Sequence, residues 1–356
     1  MTSVSYRPLD DGAGSDLLSL NRACPLESQF TFRFDREPDF FAWPRAVFER
    51  FQYRGAYVDG GLAGYCMAGY RTGWTGTHFA TWGYVGDLRV HPDYRGRELM
   101  QPVYDQLVAA VPADADQGLF IINQGNAAGD RLAKRLRLSG VTVARGGTLE
   151  VVSLPLLFAR GRDDRKIREA RPEDSPAVAA LLRERSAGRL FAPRFTEDEI
   201  AALIASSSVL VAETAGQLHG VIAWTDLTDV RRTTILRYPG TYAPIRAAWS
   251  IVQQFSRGMA SLPRVGAPLR TATVTHLAAR EDDRAVIRAL VTRAMDAQSG
   301  RGIHLLQFCG MTGEPSLQSM AGLPRFRFRS DVWLLSRENV VNNRAMQPPY
   351  IDLRII

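Results

Sequence analysis

Gly83-Tyr84-Val85-Gly86-Asp87-Leu88-Arg89-Val90-His91-Pro92-Asp93-Tyr94-Arg95-Gly96-Arg97-Glu98-Leu99-Met100 reads as a strand that runs into a helix through a basic turn. Apolar residues Val85, Leu88 and Val90 mark the strand, Pro92 stops it, and a helical pattern begins at Leu99 and continues to Val111. The first turn of a helix presents N–H groups with no intrahelical acceptor, and the aligned peptide dipoles add about half a positive charge there. Arg95 and Arg97 bring two guanidinium groups to the same spot, so the segment is an anion site of a size that suits a pyrophosphate.

The run Asp87-Leu88-Arg89-Val90-His91-Pro92-Asp93-Tyr94-Arg95-Gly96-Arg97 resembles the signature of the GNAT acyltransferase superfamily, in which a strand ending Leu-x-Val-x-Pro leads to an Arg/Gly loop. The resemblance implies an α/β fold of the α+β kind, with a mixed central sheet flanked by helices. It also implies acetyl-CoA, or another acyl-CoA, as co-substrate, with no metal, and acyl transfer to a primary amine by direct attack in a ternary complex. Carried over residue by residue, the backbone of Leu88, Arg89 and Val90 lies against the thioester. Arg95, Gly96, Arg97, Glu98, Leu99 and Met100 hold the pyrophosphate, and Asn126, at the start of the next helical pattern, takes the place of the family's Asn beside the pantetheine arm.

The chain departs from the pattern in three places. Glu98-Leu99-Met100 stands where the family has Gly-x-Gly/Ala, and a carboxylate beside phosphates is repelled. Ala133 stands seven residues after Asn126, where the family carries a Tyr that protonates the departing thiolate. Gly86 stands where relatives acting on polyamines have Glu. These departures motivate a second expectation, a non-catalytic acyl-CoA-binding or regulatory protein.

Transfer from a thioester to an amine needs a polarised carbonyl, a neutral amine and a proton source for the thiolate. Tyr84 and Asp87 are the catalytic candidates on the long strand. Strand alternation puts Tyr84, Gly86, Leu88 and Val90 on one face and Asp87 on the other.

The rest of the 356 residues, 46% hydrophobic, has the length of two domains each able to bury a core. Net charge is +7, carried almost wholly by arginine, and no arginine run interleaved with aromatics marks a nucleic-acid groove. Neither a signal segment nor an apolar run of about 18 residues is present, so a cytoplasmic protein without membrane attachment is expected. Cys24, Cys66 and Cys309 have neither disulfide nor metal-ligand spacing. A small-molecule amine is the expected partner, and homo-oligomerisation is left open.

Along the chain, helices are expected at 16–22 and 38–51 with a loop over 25–36 between them. A hairpin turns at Asp59-Gly60-Gly61 between strands 55–58 and 62–70, and 71–77 is read as a turn. The long strand 79–90, helix 99–111 (ended by Pro112), strand 118–123, helix 127–138 and a closing strand pair at 141–145 and 148–154 complete the first unit. The pattern then repeats. This divides the chain into an acyl-CoA-binding unit over 1–158, a linker over 159–165, a degenerate copy over 166–336 with an insertion at 227–268 built on a helix at 245–259, and an unassigned tail over 337–356.

Overall fold

The computed structural model describes residues 3–27, 30–136, 140–156, 166–255, 261–337 and 347–356. In the first half the chain forms β1 (Val4–Leu9), α1 (Gly14–Ala23), β2 (Leu26–Glu27), β3 (Thr31–Asp35), α2 (Ala42–Val47), β4 (Arg50–Val58) and β5 (Gly61–Trp74). It continues with β6 (Phe79–Val90), α3 (Gln101–Asp114), β7 (Gln117–Asn123), α4 (Ala127–Arg135) and β8 (Val141–Pro155). The second half forms β9 (Lys166–Glu169), α5 (Ser175–Ser186), α6 (Glu197–Ser206), β10 (Ser208–Thr214), β11 (Gln217–Asp226), β12 (Arg232–Arg237) and α7 (Ala243–Phe255). β13 (Pro268–Leu269), β14 (Thr271–Ala279), α8 (Arg284–Gln298), β15 (Leu305–Met311), α9 (Pro315–Gln318) and β16 (Phe326–Arg337) follow.

Twelve strands make one mixed sheet in the order β1-β4-β5-β6-β7-β16-β8-β15-β14-β11-β10-β9. Each half contributes six strands, and the order is the same read from either end except that the last strand of each half is exchanged. β16 lies between β7 and β8, and β8 pairs with β15. Parallel pairing occurs at β6/β7 and at β14/β15. The physical consequence of the exchange is that a continuous ladder of backbone hydrogen bonds crosses from one half to the other.

Helices cover both faces. Val103, Leu107 and Val111 recur every four residues on α3 and are fully buried against Val85 and Phe120. On the opposite face Leu17 and Leu20 of α1 and Trp43 of α2 pack on Tyr53, Tyr65 and Tyr84. In the second half α8 covers one face through Ile287, Leu290 and Val291, and α5 the other through Val178, Leu181 and Leu182. Burial of each such side chain contributes about 1.5–3 kcal/mol.

The hairpin at Asp59-Gly60 forms as expected, both residues having positive φ (48° and 87°), as a two-residue turn of this hand requires. Elsewhere the structure corrects the expectation. The aromatic stretch 25–36 is no loop: β2 and β3 form there, and β3 pairs with β12 from the insertion. The helix expected over 38–51 is confined to Ala42–Val47, because Arg50 already begins β4 and pairs with Tyr70. Strand β5 runs on to Trp74 through the expected turn. α3 begins at Gln101 and continues through Pro112, which occupies its last turn. The two short closing strands are one strand, β8, with Gly146 and Gly147 at a shift in its pairing to β16 and not at a turn. The insertion contributes β12 and β13 as well as a helix, and α7 starts at Ala243. The linker 159–165 lies outside the described residues.

The four strands β13-β12-β3-β2 form a second sheet that joins the halves. The tail over 347–356 is packed onto both halves. Arg189 of the second donates to the carbonyl of Pro349, and Trp43 of the first donates to the carbonyl of Arg354 at 3.0 Å. Asp352, 6% exposed, is bonded by Arg71 (2.8 Å) and Arg354 (2.6 Å). Burial disfavours its charged form, yet the two guanidinium groups outweigh that and hold its carboxyl far below the usual range. Removing one member of such a set leaves unpaired charge behind. Asp352→Ala should therefore cost about 3 kcal/mol of stability, read as a lower urea midpoint with an unchanged denaturant slope.

Candidate active site

The parallel ladder of β6 and β7 pairs Trp82 with Gln117, Gly83 with Gly118, Tyr84 with Leu119 and Val85 with Phe120, and it stops there. Beyond it the strands diverge, leaving the β7-side backbone edge of Gly86–Val90 without a strand partner. A cavity of about 810 Å³ occupies the splay and extends beneath the four-stranded sheet. Its floor is the centre of the large sheet, where Ser153 of β8, Gln307 of β15 and Phe328 of β16 line it.

At the outer mouth His91, Pro92 and the turn to Tyr94 lead into the basic loop. Arg95 and Arg97 are exposed and have no carboxylate partner among the described residues. The Arg95 guanidinium rests on the carbonyl of Val90 at 3.2 Å, and Arg97 lies over the ring of Tyr94 at 5.5 Å. Gly96 has φ +79° and Glu98 φ +56°. A non-glycine residue in this conformation costs about 1–2 kcal/mol, which is the local penalty of Glu98 at a family glycine position. The amides of Gly96, Leu99 and Met100 make no hydrogen bond among the described residues, and they precede the first turn of α3. Asn126 lines the cavity as the cap of α4, accepting from the amide of Gly129 at 3.1 Å. Ala133 is buried among α3 and β7 residues, so no phenol projects from that position.

The strand itself holds a departure that alternation did not foretell. Tyr65 pairs with Arg89 and Met67 with Gly86, so Asp87 and Leu88 together oppose Cys66 in a β-bulge, and Asp87 has φ +51°. The extra residue reverses the alternation. Asp87 and Arg89 share the face of Tyr84, while Leu88 and Val90 turn to the other with Val85. Asp87 Oδ2 accepts from Arg36 Nη1 (2.7 Å) and Tyr53 Oη (2.9 Å), and Arg89 stands 3.7 Å from Oδ1. Arg36 is 3% exposed, and nothing in the sequence near Asp87 announced it as the partner.

Tyr84 projects into the cavity from a stacked position on Phe48, ring centroids 6.0 Å apart. Its hydroxyl has no hydrogen-bond partner among the described residues. Burial, and then the charge of Asp87, push the phenol well above its ordinary pKa, so it keeps its proton. The ring folds back over Gly86, where an added Cβ would lie 2.3 Å from Cζ and Oη. Gly86 is therefore glycine because Tyr84 needs that space.

Sequence reading also missed Arg231, supplied by the insertion. It lies half-buried over the rings of Phe34 (4.7 Å) and Trp43 (4.9 Å), and its Nη1 donates to the backbone oxygen of Ile356 at 2.5 Å. Burial and the nearby Arg36 lower its pKa to about 10. Tyr104 of α3, 5% exposed, reaches the cavity from the opposite face. Among the described residues no group of three or more His, Cys, Asp or Glu side chains could hold a metal ion. No described helix is long and apolar enough to cross a membrane.

A mixed sheet whose central parallel strands splay beside a basic strand-to-helix loop defines the acyl-CoA N-acyltransferase fold. Within the first half, residues 16–136 match the acetyltransferase (GNAT) family. No curated protein matches it in sequence. Among solved structures, N-myristoyltransferase of Saccharomyces cerevisiae with bound myristoyl-CoA is similar at a TM-score of 0.58 and 14% identity, over 94% of this chain and 83% of that one. A second structure of the yeast enzyme, with myristoyl-CoA and inhibitors, has the same score and identity over 98% of this chain and 86% of that one. At such identity the likeness concerns the fold, and it spans both halves.

The Gly86–Tyr84 contact is open to a double-mutant cycle. Gly86→Ala alone should destabilise by about 1–3 kcal/mol through overpacking. In a Tyr84→Ala background the same change should cost far less, measured by urea unfolding of the four proteins.

Proposed function

We propose that the first unit, residues 1–158, binds acetyl-CoA and transfers its acetyl group to a primary amine of a small molecule by direct attack in a ternary complex. The observation that carries this reading is the ladder of β6 and β7 ending at Val85 and Phe120, with a basic loop at the outer mouth of the splay and a cavity of about 810 Å³ behind it. In this reading Arg95 and Arg97, with the loop backbone from Gly96 through Glu98 and Leu99 to Met100, take the pyrophosphate. The pantetheine arm lies along the open backbone edge of Leu88, Arg89 and Val90, beside Asn126. Residues 166–336 wall the acceptor side, and a cytoplasmic place of action suits an acyl-CoA co-substrate.

The amine nitrogen attacks the thioester carbonyl, the C–N bond forms, and the C–S bond breaks. Tyr84 gives its phenolic proton to the departing sulfur and recovers one from the acylated nitrogen. Burial keeps that phenol in the protonated form from which a proton can be given. Asp87, already shared by Arg36, Tyr53 and Arg89, acts by fixing those groups and not as the base.

A second reading, an acyl-CoA-binding protein without turnover, draws on Glu98 in its strained conformation and on the buried Ala133. Calorimetric titration with acetyl-CoA followed by thiol release over an amine panel separates the two, since binding without thiol release favours the second. Repeating the assay with acyl-CoAs of rising chain length reads the acyl preference, because the yeast structure holds myristoyl-CoA.

Two variants test the roles. Arg95→Ala should weaken acetyl-CoA binding by about 1–3 kcal/mol, and an unchanged calorimetric Kd would move the pyrophosphate elsewhere. Tyr84→Phe should lower kcat by about 10²–10⁴-fold with the Kd for acetyl-CoA preserved; full activity in that variant would remove the phenol from the mechanism.

A further inference from the structure

We infer that the acceptor is an amine with an aromatic or branched apolar body and no second positive charge, seated between the centre of the large sheet and the four-stranded sheet. The inference deepens the acyl-transfer reading and rests on it. Its basis is the wall that the second sheet presents to the cavity.

The rings of Phe32 and Phe34 on β3 stand edge to face at 5.3 Å, and Phe30 meets Phe32 at 5.6 Å, Tyr238 at 6.3 Å and Tyr242 at 6.5 Å. Phe30, Phe32, Tyr238 and Phe326 pack against Ile235, Leu269 and Leu305, a cluster separate from those that flank the β6/β7 splay. Edge-to-face rings of this kind offer faces and edges to another ring, and apolar surface to a branched chain. The wall is thus built for an apolar body that enters beside the notch.

The charges point the same way. Of the side chains lining the cavity only Glu27, Asp87 and Glu98 carry a carboxylate, against five arginines, Arg36, Arg89, Arg95, Arg131 and Arg231, and the backbone oxygen of Ile356, also in the lining, accepts from Arg231. Asp87 is consumed by Arg36 and Tyr53. Glu98 belongs to the outer loop and Glu27 is exposed. The interior therefore has no side-chain carboxylate left free to receive a second cationic group, while Arg36 and Arg231 both lie over the Trp43 ring and repel one. An amine that reaches this interior sheds its proton readily among such neighbours, and attack on the thioester requires the neutral form. A polyamine or a lysine-rich peptide would bring further cations that the cavity cannot neutralise.

Steady-state thiol release by the full chain at saturating acetyl-CoA, with 2-phenylethylamine, isoamylamine, spermidine and a lysine-rich peptide, tests this. The expected kcat/KM for 2-phenylethylamine exceeds that for spermidine by about a hundredfold. Phe32→Ala should raise KM for 2-phenylethylamine about tenfold while the calorimetric Kd for acetyl-CoA stays put. Phe32→Leu, which keeps most of the volume and loses the ring, serves the same comparison where the alanine variant does not fold. Preference for spermidine or the peptide overturns the inference and leaves acyl transfer standing. So does a preference for decanoyl-CoA over acetyl-CoA that Phe32→Ala abolishes, because the wall would then hold the acyl chain. Acetyl-CoA binding with no thiol release on any amine is a failure of the transfer reading itself, and the inference falls with it.

Discussion

Backbone pairing across the centre of the large sheet is the constraint on which the rest of this molecule depends. The last strand of each half is hydrogen-bonded inside the other: β16 fills the place between β7 and β8, and β8 closes against β15. Every buried N–H and C=O on these strands must find a partner, and here the partner belongs to the other half. Neither half can therefore complete its sheet alone. The same central strands form the floor of the cavity, so the site is a property of both halves even though its specific motif lies in the first.

The exchange also sets up two splays of opposite fate. Where β6 and β7 part, the cavity remains open behind a basic loop. Where β14 and β15 part, after Thr273 and Gln307, the chain's own tail comes in: Tyr350 donates to the carbonyl of Thr275, and the thiol of Cys309 donates to the carbonyl of Ile351. The corresponding connection in the second half, Arg280-Glu281-Asp282-Asp283-Arg284, carries three carboxylates, and Asp283 spends its side chain on capping α8. The tail instead reaches past the second splay toward the first cavity, with Asp352 clamped by Arg71 and Arg354 and Ile356 held by Arg231.

Electrostatics in the cavity follow from burial more than from charge number. Arg36 and Arg231 both lie over one indole ring, and the one nearby carboxylate side chain, Asp87, is bonded directly to Arg36 alone, while Arg231 donates to the backbone oxygen of Ile356. Desolvation lowers the pKa of Arg231, while the paired Arg36 stays firmly charged. The outer loop shows the converse case. Arg95 and Arg97 are exposed and without carboxylate partners among the described residues, which leaves them available to an anion.

Much of this was legible in the sequence because it rests on local physics. The strand 79–90, the basic turn, the apolar stripe Val103-Leu107-Val111, the Asp59-Gly60 hairpin and the recurrence of one topology in the second half each depend on residues close together in the chain, whose periodicity and turn chemistry act before any tertiary contact forms. What escaped depends on distant partners. The bulge that turns Asp87 to the face of Tyr84 is a property of pairing with β5, and one inserted residue reverses the alternation on which a face assignment relies. The aromatic segment 25–36 becomes β2 and β3 because the insertion, some 200 residues later, supplies β12 as a neighbour. By itself the sequence determined the elements whose pattern is local, their order and the basic turn. Only the tertiary structure decided which strand completes which half, which guanidinium neutralises Asp87, and what surface the cavity offers, because hydrogen-bond and charge partners far apart in the chain are chosen by packing and not by spacing.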